Sequence, residues 1–158
     1  MISIKKAQRF LWLFGLFKIP MIGFVSPKLI LMDNEKIIIK IPYKRRTKNH
    51  LKSIYIGALV IGADLAAGFH AFMIGREMKK NISLAFKGIK GEFISRPMSE
   101  VFFICNEGNT VKNMIEESIA SGDRITKDIS IEVFTNYPDQ PELIANFTLG
   151  LSIRNKEI

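Results

Sequence analysis

Between Ile54 and Ile74 the chain reads IYIGALVIGADLAAGFHAFMI, 21 largely apolar residues with a single carboxylate, Asp64, near their centre. At ~1.5 Å per residue a helix of that length just spans a bilayer. A charged acid at mid-membrane costs about 2.5–3.5 kcal/mol, however. His70 adds a second polar group, and both flanks are basic, which leaves no inside–outside asymmetry. The better reading is a buried helix of a globular domain, running from about Tyr55 to Lys79. It closes on Arg76 and the Lys79-Lys80 pair, where cations suit a helix C-terminus. A helix apolar on all sides needs cover on nearly all of them.

The flanking periodicity supplies that cover as strands. Pro27 to Leu31 and Lys36 to Tyr43 are joined by the polar turn Met32-Asp33-Asn34-Glu35. Ile82, Leu84 and Phe86 alternate with Ser83, Ala85 and Lys87, and Gly88 and Gly91 predict a bend or bulge. Val101 to Cys105 is a short buried strand. Asn109 reads as an N-cap, Val111, Met114, Ile115, Ser118 and Ile119 follow at helical spacing, and Gly122 is the stop. Ile129, Ile131 and Val133 alternate, and so do Ala145, Phe147, Leu149, Leu151 and Ile153. The prediction is an α+β domain over residues 1–158, an antiparallel sheet around one long helix.

Ahead of this domain, Phe10 to Phe17 (FLWLFGLF) follows the basic stretch Lys5-Lys6-Ala7-Gln8-Arg9, as in a signal peptide. The apolar run is short, Lys18 and Pro20 interrupt it, and no small-x-small cleavage pattern follows. Residues 1–19 are therefore expected to form a helix packed on the domain. Membrane-surface contact through Trp12 and its neighbours is the weaker alternative.

Composition bounds the chemistry. A single cysteine, Cys105, excludes an internal disulfide framework and fits a reducing, cytoplasmic setting. With only His50 and His70 beside it, a Cys/His zinc site is not expected, and no metal or cofactor is. The 23 Lys and Arg exceed the 15 Asp and Glu by eight, a balance that suits nucleic acid, an anionic membrane or a phosphate-bearing ligand.

Asp64 is the residue with most to explain. Gly57, Val60, Ile61, Ala67, Gly68 and Ala71 share its helix face, so a carboxylate lies among small and aliphatic groups. Such a group is neutralised, hydrogen-bonded or put to use. One reading makes it a packing device bonded to nearby backbone or to Asn49; the other makes it catalytic. Gly57 stands near the helix start, where free N–H groups and the helix dipole stabilise an oxyanion and a missing side chain lets a carbonyl approach.

Asn49-His50-Leu51-Lys52-Ser53-Ile54-Tyr55-Ile56-Gly57-Ala58-Leu59, followed by Gly62-Ala63-Asp64-Leu65-Ala66-Ala67-Gly68, resembles the central segment of hotdog-fold thioesterases. The likeness is strongest to the C-terminal domains of YiiD-type proteins, with PaaI-type thioesterases further off. It covers residues 20–155, with Ser121-Gly122-Asp123-Arg124 and Ala145 to Arg154 in support. The resemblance implies a hotdog fold and a homodimer, or dimer of dimers, with sites at the interface. Asp64 would activate water or attack the thioester carbonyl, the Gly57 N–H would polarise that carbonyl, and Asn49 would contact substrate or water. Tyr55-Ile56-Gly57 replaces the His-Gly-Gly of PaaI-type proteins, which bears on how substrate is oriented.

His50 is open between a catalytic partner, including a hydratase-like pair with Asp64, and a loop residue that shapes the turn. Cys105 reads as core. Lys44-Arg45-Arg46, with Lys48, precedes the site and is either a solvated loop or an attractor for coenzyme A or an acyl carrier protein. Nucleic acid is disfavoured, because the aromatic residues are not interleaved with the cations. The expectation is a thioesterase acting on acyl-CoA or acyl carrier protein thioesters, coenzyme A entering only as part of substrate. The alternatives are a non-catalytic acyl-thioester or lipid binder, and a dehydratase using His50 and Asp64.

Overall fold

In the computed structural model, which describes residues 2–156, the alternating segments become six strands. They are β1 (Lys28–Met32), β2 (Ile37–Ile41), β3 (Ile82–Phe93), β4 (Val101–Cys105), β5 (Ile125–Thr135) and β6 (Glu142–Asn155). All neighbours pair antiparallel, in the order β1-β2-β4-β5-β6-β3. On β6 the residues Ala145, Phe147, Leu149, Leu151 and Ile153 all point into the core, as their two-residue period requires. The glycine-interrupted segment is one long strand, and its predicted bulge is a register shift between Phe86 and Ile89.

Across the inner face of the sheet lies α3 (Ile56–Glu77). Leu59, Ala63, Ala66, Ala67 and Ala71 are buried against strand residues such as Phe103 and Leu149. Small residues set how closely the helix descends: a Cβ on Gly62 would stand 2.3 Å from the Phe103 ring. Within α3, Leu65–Phe69 is a π-turn, beginning directly after Asp64. The cover expected for this helix is incomplete. Ile56 and Val60 remain exposed, at 52% and 36%, so one flank of an apolar helix has no partner within the chain.

At the N-terminus α1 (Ile4–Phe17) packs Ala7, Leu11 and Gly15 inward. Pro20, predicted only as an interruption, instead opens a second short helix, α2 (Pro20–Phe24), because proline suits the first helical turn. The two cross at glycines, where a Cβ on Gly15 would lie 2.7 Å from the Gly23 nitrogen. The last helix, α4 (Gly108–Ser121), begins two residues earlier than its sequence suggests. Glu107, not Asn109, is the N-cap, and Gly108 lies so close to the Asn34 carbonyl that a Cβ there would stand 2.0 Å away. Gly122 closes α4 at φ 75°, as predicted.

Candidate functional site

Asn49 organises the loop that leads into α3. Its Oδ1 accepts from the Leu51 N–H at 2.9 Å and the Ser53 N–H at 3.1 Å, and its amide reaches the Ser53 hydroxyl at 2.9 Å. The loop is anchored below by buried Thr47, whose hydroxyl donates to the Pro42 carbonyl at 2.6 Å and accepts from the Lys44 N–H at 3.0 Å. Asn49 therefore does not bond Asp64 within the chain, and the packing reading of that pair is set aside. Along with His50 and Tyr55, Asn49 lines a cavity of about 500 Å³ closed by the segment after β3, Phe93 to Pro97. His50 is exposed on the wall of this cavity.

Gly57 is the second residue of α3, so its N–H has no acceptor within the helix. The Tyr55 ring occupies the space a side chain would need, 2.5 Å from a built Cβ. Asp64 stands seven residues further on, about 10 Å along the axis, two turns away.

Asp64 opens into a different cavity, of about 310 Å³, floored by Leu65, Gly68 and Phe69 of α3. Phe10, Phe14, Ile19 and Ile22 of the N-terminal hairpin form one wall, and Leu84 to Phe86 of β3 the other. Phe10, Phe14 and Phe72 lie with ring centroids 5.5–6.4 Å apart, an aromatic lining for this space. The Asp64 carboxylate has no hydrogen bond or ion pair among the described residues, and burial raises its pKa above the ordinary aspartate value. The unpaired acid is thus partly desolvated and a stronger base than a surface aspartate.

The other titratable candidates fall elsewhere. His70 is buried, its Nε2–H donates to the Asp33 carbonyl at 2.8 Å, and burial pushes its pKa down. Its bond to the Asp33 carbonyl ties α3 to the turn between β1 and β2. Burial pushes the Cys105 thiol up to about 12. Among the described residues no cluster of His, Cys, Asp and Glu could hold a metal ion.

The basic loop turns away from the Asn49 cavity. Arg46 lies 5.2 Å over the Phe24 ring of α2, and Lys48 4.8 Å over Tyr43. Lys44 and Arg45 are exposed on the same short 3₁₀ turn. The cation on the Asn49 cavity is instead Arg96, with Ser95 beside it. Neither is marked in the sequence, because a lone arginine after a strand carries no periodic signal. Nor does the sequence mark that Phe10, Phe14, Ile19 and Ile22 reach Asp64, a contact between segments some 50 residues apart.

A scan of known protein families finds no match to the chain, and no curated protein matches it by sequence. Solved structures do resemble it. A candidate thioesterase from Shewanella oneidensis superposes with a TM-score of 0.80 at 12% identity, over 95% of this chain and 98% of that one. A thioesterase family protein from Silicibacter pomeroyi gives 0.68 at 14% identity, over 97% and 99%. Thioesterase HI1161 from Haemophilus influenzae gives 0.67 at 11% identity, over 98% and 92%. At these identities the likeness establishes the architecture: the chain has the hotdog fold, with a long helix wrapped by a six-stranded antiparallel sheet and an added N-terminal helix.

Proposed function

We propose that the protein is a hotdog thioesterase hydrolysing acyl thioesters of coenzyme A or an acyl carrier protein. The observation that carries this reading is Asp64: an unpaired, partly desolvated carboxylate facing an apolar cavity. Such a group is expensive for a fold to keep and is suited to general-base work. In the proposed step Asp64 takes a proton from water as the oxygen attacks the thioester carbonyl carbon. The oxyanion is held by the Gly57 N–H, and the C–S bond then breaks to release the thiol, which regains the proton. The acyl chain occupies the Phe10–Phe14–Phe72 cavity, and Arg96 meets carrier phosphate at the Asn49 cavity.

Gly57 and Asp64 of one chain are too far apart to serve one carbonyl, so the reading calls for two copies. β3 supports this. It is a 12-residue edge strand, largely exposed, with Phe86, Ile89, Phe93 and Ile94 in the open beside Ile56 and Val60 of α3. An edge this long and apolar is a template for pairing. Joining two copies at β3 covers the bare flank of α3, and one chain's Asn49 and Gly57 meet the other's Asp64.

The test is hydrolysis of short, medium and long acyl-CoAs by wild type, Asp64→Asn, Asn49→Ala and an equimolar, re-equilibrated mixture of the two variants. Asp64→Asn should abolish turnover. If the site is shared, the mixture should recover about a quarter of wild-type activity, since half the dimers are mixed and each holds one intact site. Equal rates for wild type and Asp64→Asn remove the aspartate from catalysis. Tight acyl-CoA binding without turnover in wild type makes the protein a binder, and water addition to an enoyl thioester makes it a hydratase using His50.

A further inference from the structure

The N-terminal hairpin has two faces, and only the inner one packs on the domain. On the outer face Phe17, Met21 and Trp12 are 73%, 69% and 61% exposed, and Phe24 and Leu16 about half. Soluble proteins seldom leave so much contiguous apolar surface open without a partner for it. The Gly15–Gly23 crossing fixes the turn between α1 and α2, so these side chains cannot fold back into the domain.

Charge identifies the partner. Residues 2–32 carry five cations, Lys5, Lys6, Arg9, Lys18 and Lys28, and no carboxylate; Asp33 is the first acid in the chain. All five cations are exposed. Lys5 and Arg9 lie on the same stripe of α1 as Trp12 and Leu16, by their four- and three-residue spacing. Beside α2 an open groove of about 740 Å³ runs between Trp12, Leu16, Phe24 and Ile30, with Lys28 and Arg46 on its walls. Arg46, from the basic run that turns away from the Asn49 cavity, therefore adds to this surface.

We propose that the outer face of the α1–α2 hairpin docks on an anionic lipid bilayer. Phe17 and Met21 at the turn enter the acyl boundary, and Trp12 sits at the headgroup level. Lys5, Lys6, Arg9, Lys18, Lys28 and Arg46 face the lipid phosphates. A second copy of the same face is a poor occupant, since self-pairing sets like charges against each other with no acid to relieve them. An acidic protein would match the charge, but the most exposed groups here are flexible or aromatic apolar residues at a turn, with long cations around them. That arrangement suits a fluid interface more than a fitted pocket. The assignment is independent of whether Asp64 hydrolyses a thioester.

Trp12 is the only tryptophan, so its emission reports on this face alone. The full chain is titrated with vesicles of phosphatidylcholine, with or without phosphatidylglycerol, at low and at about 0.5 M salt. Anionic vesicles should shift Trp12 emission to the blue, and brominated acyl chains should quench it. Neutral lipid or high salt should weaken partitioning at least tenfold. Lys5→Gln and Lys6→Gln should each weaken it about fivefold. Phe17→Ser with Met21→Ser should weaken it more than tenfold while the thermal melt stays unchanged, since neither residue is buried. Absence of a shift at millimolar anionic lipid overturns the proposal, as does undiminished partitioning of the Phe17→Ser/Met21→Ser variant. It is equally overturned by a lipid-free shift that tracks self-association, or by one produced by an acidic carrier protein and not by vesicles.

Discussion

Replacing Asp64 with asparagine should make the protein more stable. The carboxylate has lost part of its water and gained no partner, so the folded state carries a desolvation cost that an amide largely avoids. A fully buried unpaired polar group costs about 1–3 kcal/mol; Asp64 is only partly buried and the amide of the variant retains part of the cost, leaving a gain of about 1 kcal/mol. For a chain of this size that is a rise of about 2–4 °C in Tm. The sign can be checked against pH. Burial raises the folded-state pKa above the unfolded value, so the native state holds the proton more tightly. The penalty is absent where both states are protonated, below the unfolded value near 3.8, and grows as pH rises through the folded-state pKa. The advantage of Asp64→Asn over wild type should be full at pH 7.5 and shrink steadily toward pH 4, as read by calorimetry or circular dichroism. A lower Tm for the variant at pH 7.5, or a difference that does not change with pH, would refute the account of Asp64 as a partly desolvated acid with no partner in its own chain.

Three further outcomes follow from the packing. Gly62→Ala puts a methyl group 2.3 Å from the Phe103 ring and should cost about 1–3 kcal/mol in urea unfolding, with Phe103→Leu recovering part of the loss. His70 has the opposite sign to Asp64. Burial lowers its folded-state pKa, outweighing the Asp33 carbonyl and charge that raise it, so its contribution is present above pH 6.5 and lost as pH falls below that value. Replacing it with Gln, which can still donate to the Asp33 carbonyl, should flatten the acid limb of a stability–pH profile. Cys105, 1% exposed and with its thiol pushed up to about 12, should react with a thiol reagent only at the rate of unfolding, a rate that urea raises.

How far these features were legible depends on how local they are. The alternation from Ala145 to Ile153 identifies β6 and its buried face, because a two-residue period leaves only one register that buries it. The apolar run around Asp64 identifies α3 in the same way. Pro20 misleads because a five-residue helix is too short to show a period, and Asn109 because the cap is decided by Gly108 lying against Asn34. The helix had been expected to be wrapped on nearly every side; Ile56 and Val60 show that part of the wrapping is missing from one chain. At the candidate site, Asn49, Gly57 and Asp64 were visible as residue types in a recognisable segment. The division of Asn49 and Asp64 between two cavities was not, since it depends on Phe10, Phe14 and Arg96 arriving from distant parts of the sequence.

The glycine crossing of α1 and α2 gives the hairpin a property that neither helix has alone. Phe10, Phe14, Ile19 and Ile22 look inward at Asp64, while Trp12, Phe17, Met21 and Phe24 look outward. The close backbone contact at Gly15 and Gly23 sets the two faces on opposite sides of the hairpin, so a side chain can change on one face without touching the other. If the proposed acyl cavity and lipid-facing surface both hold, acyl-group size and membrane residence can change independently of each other. Both proposed roles would then share 21 residues, Ile4 to Phe24, and remain separately selectable.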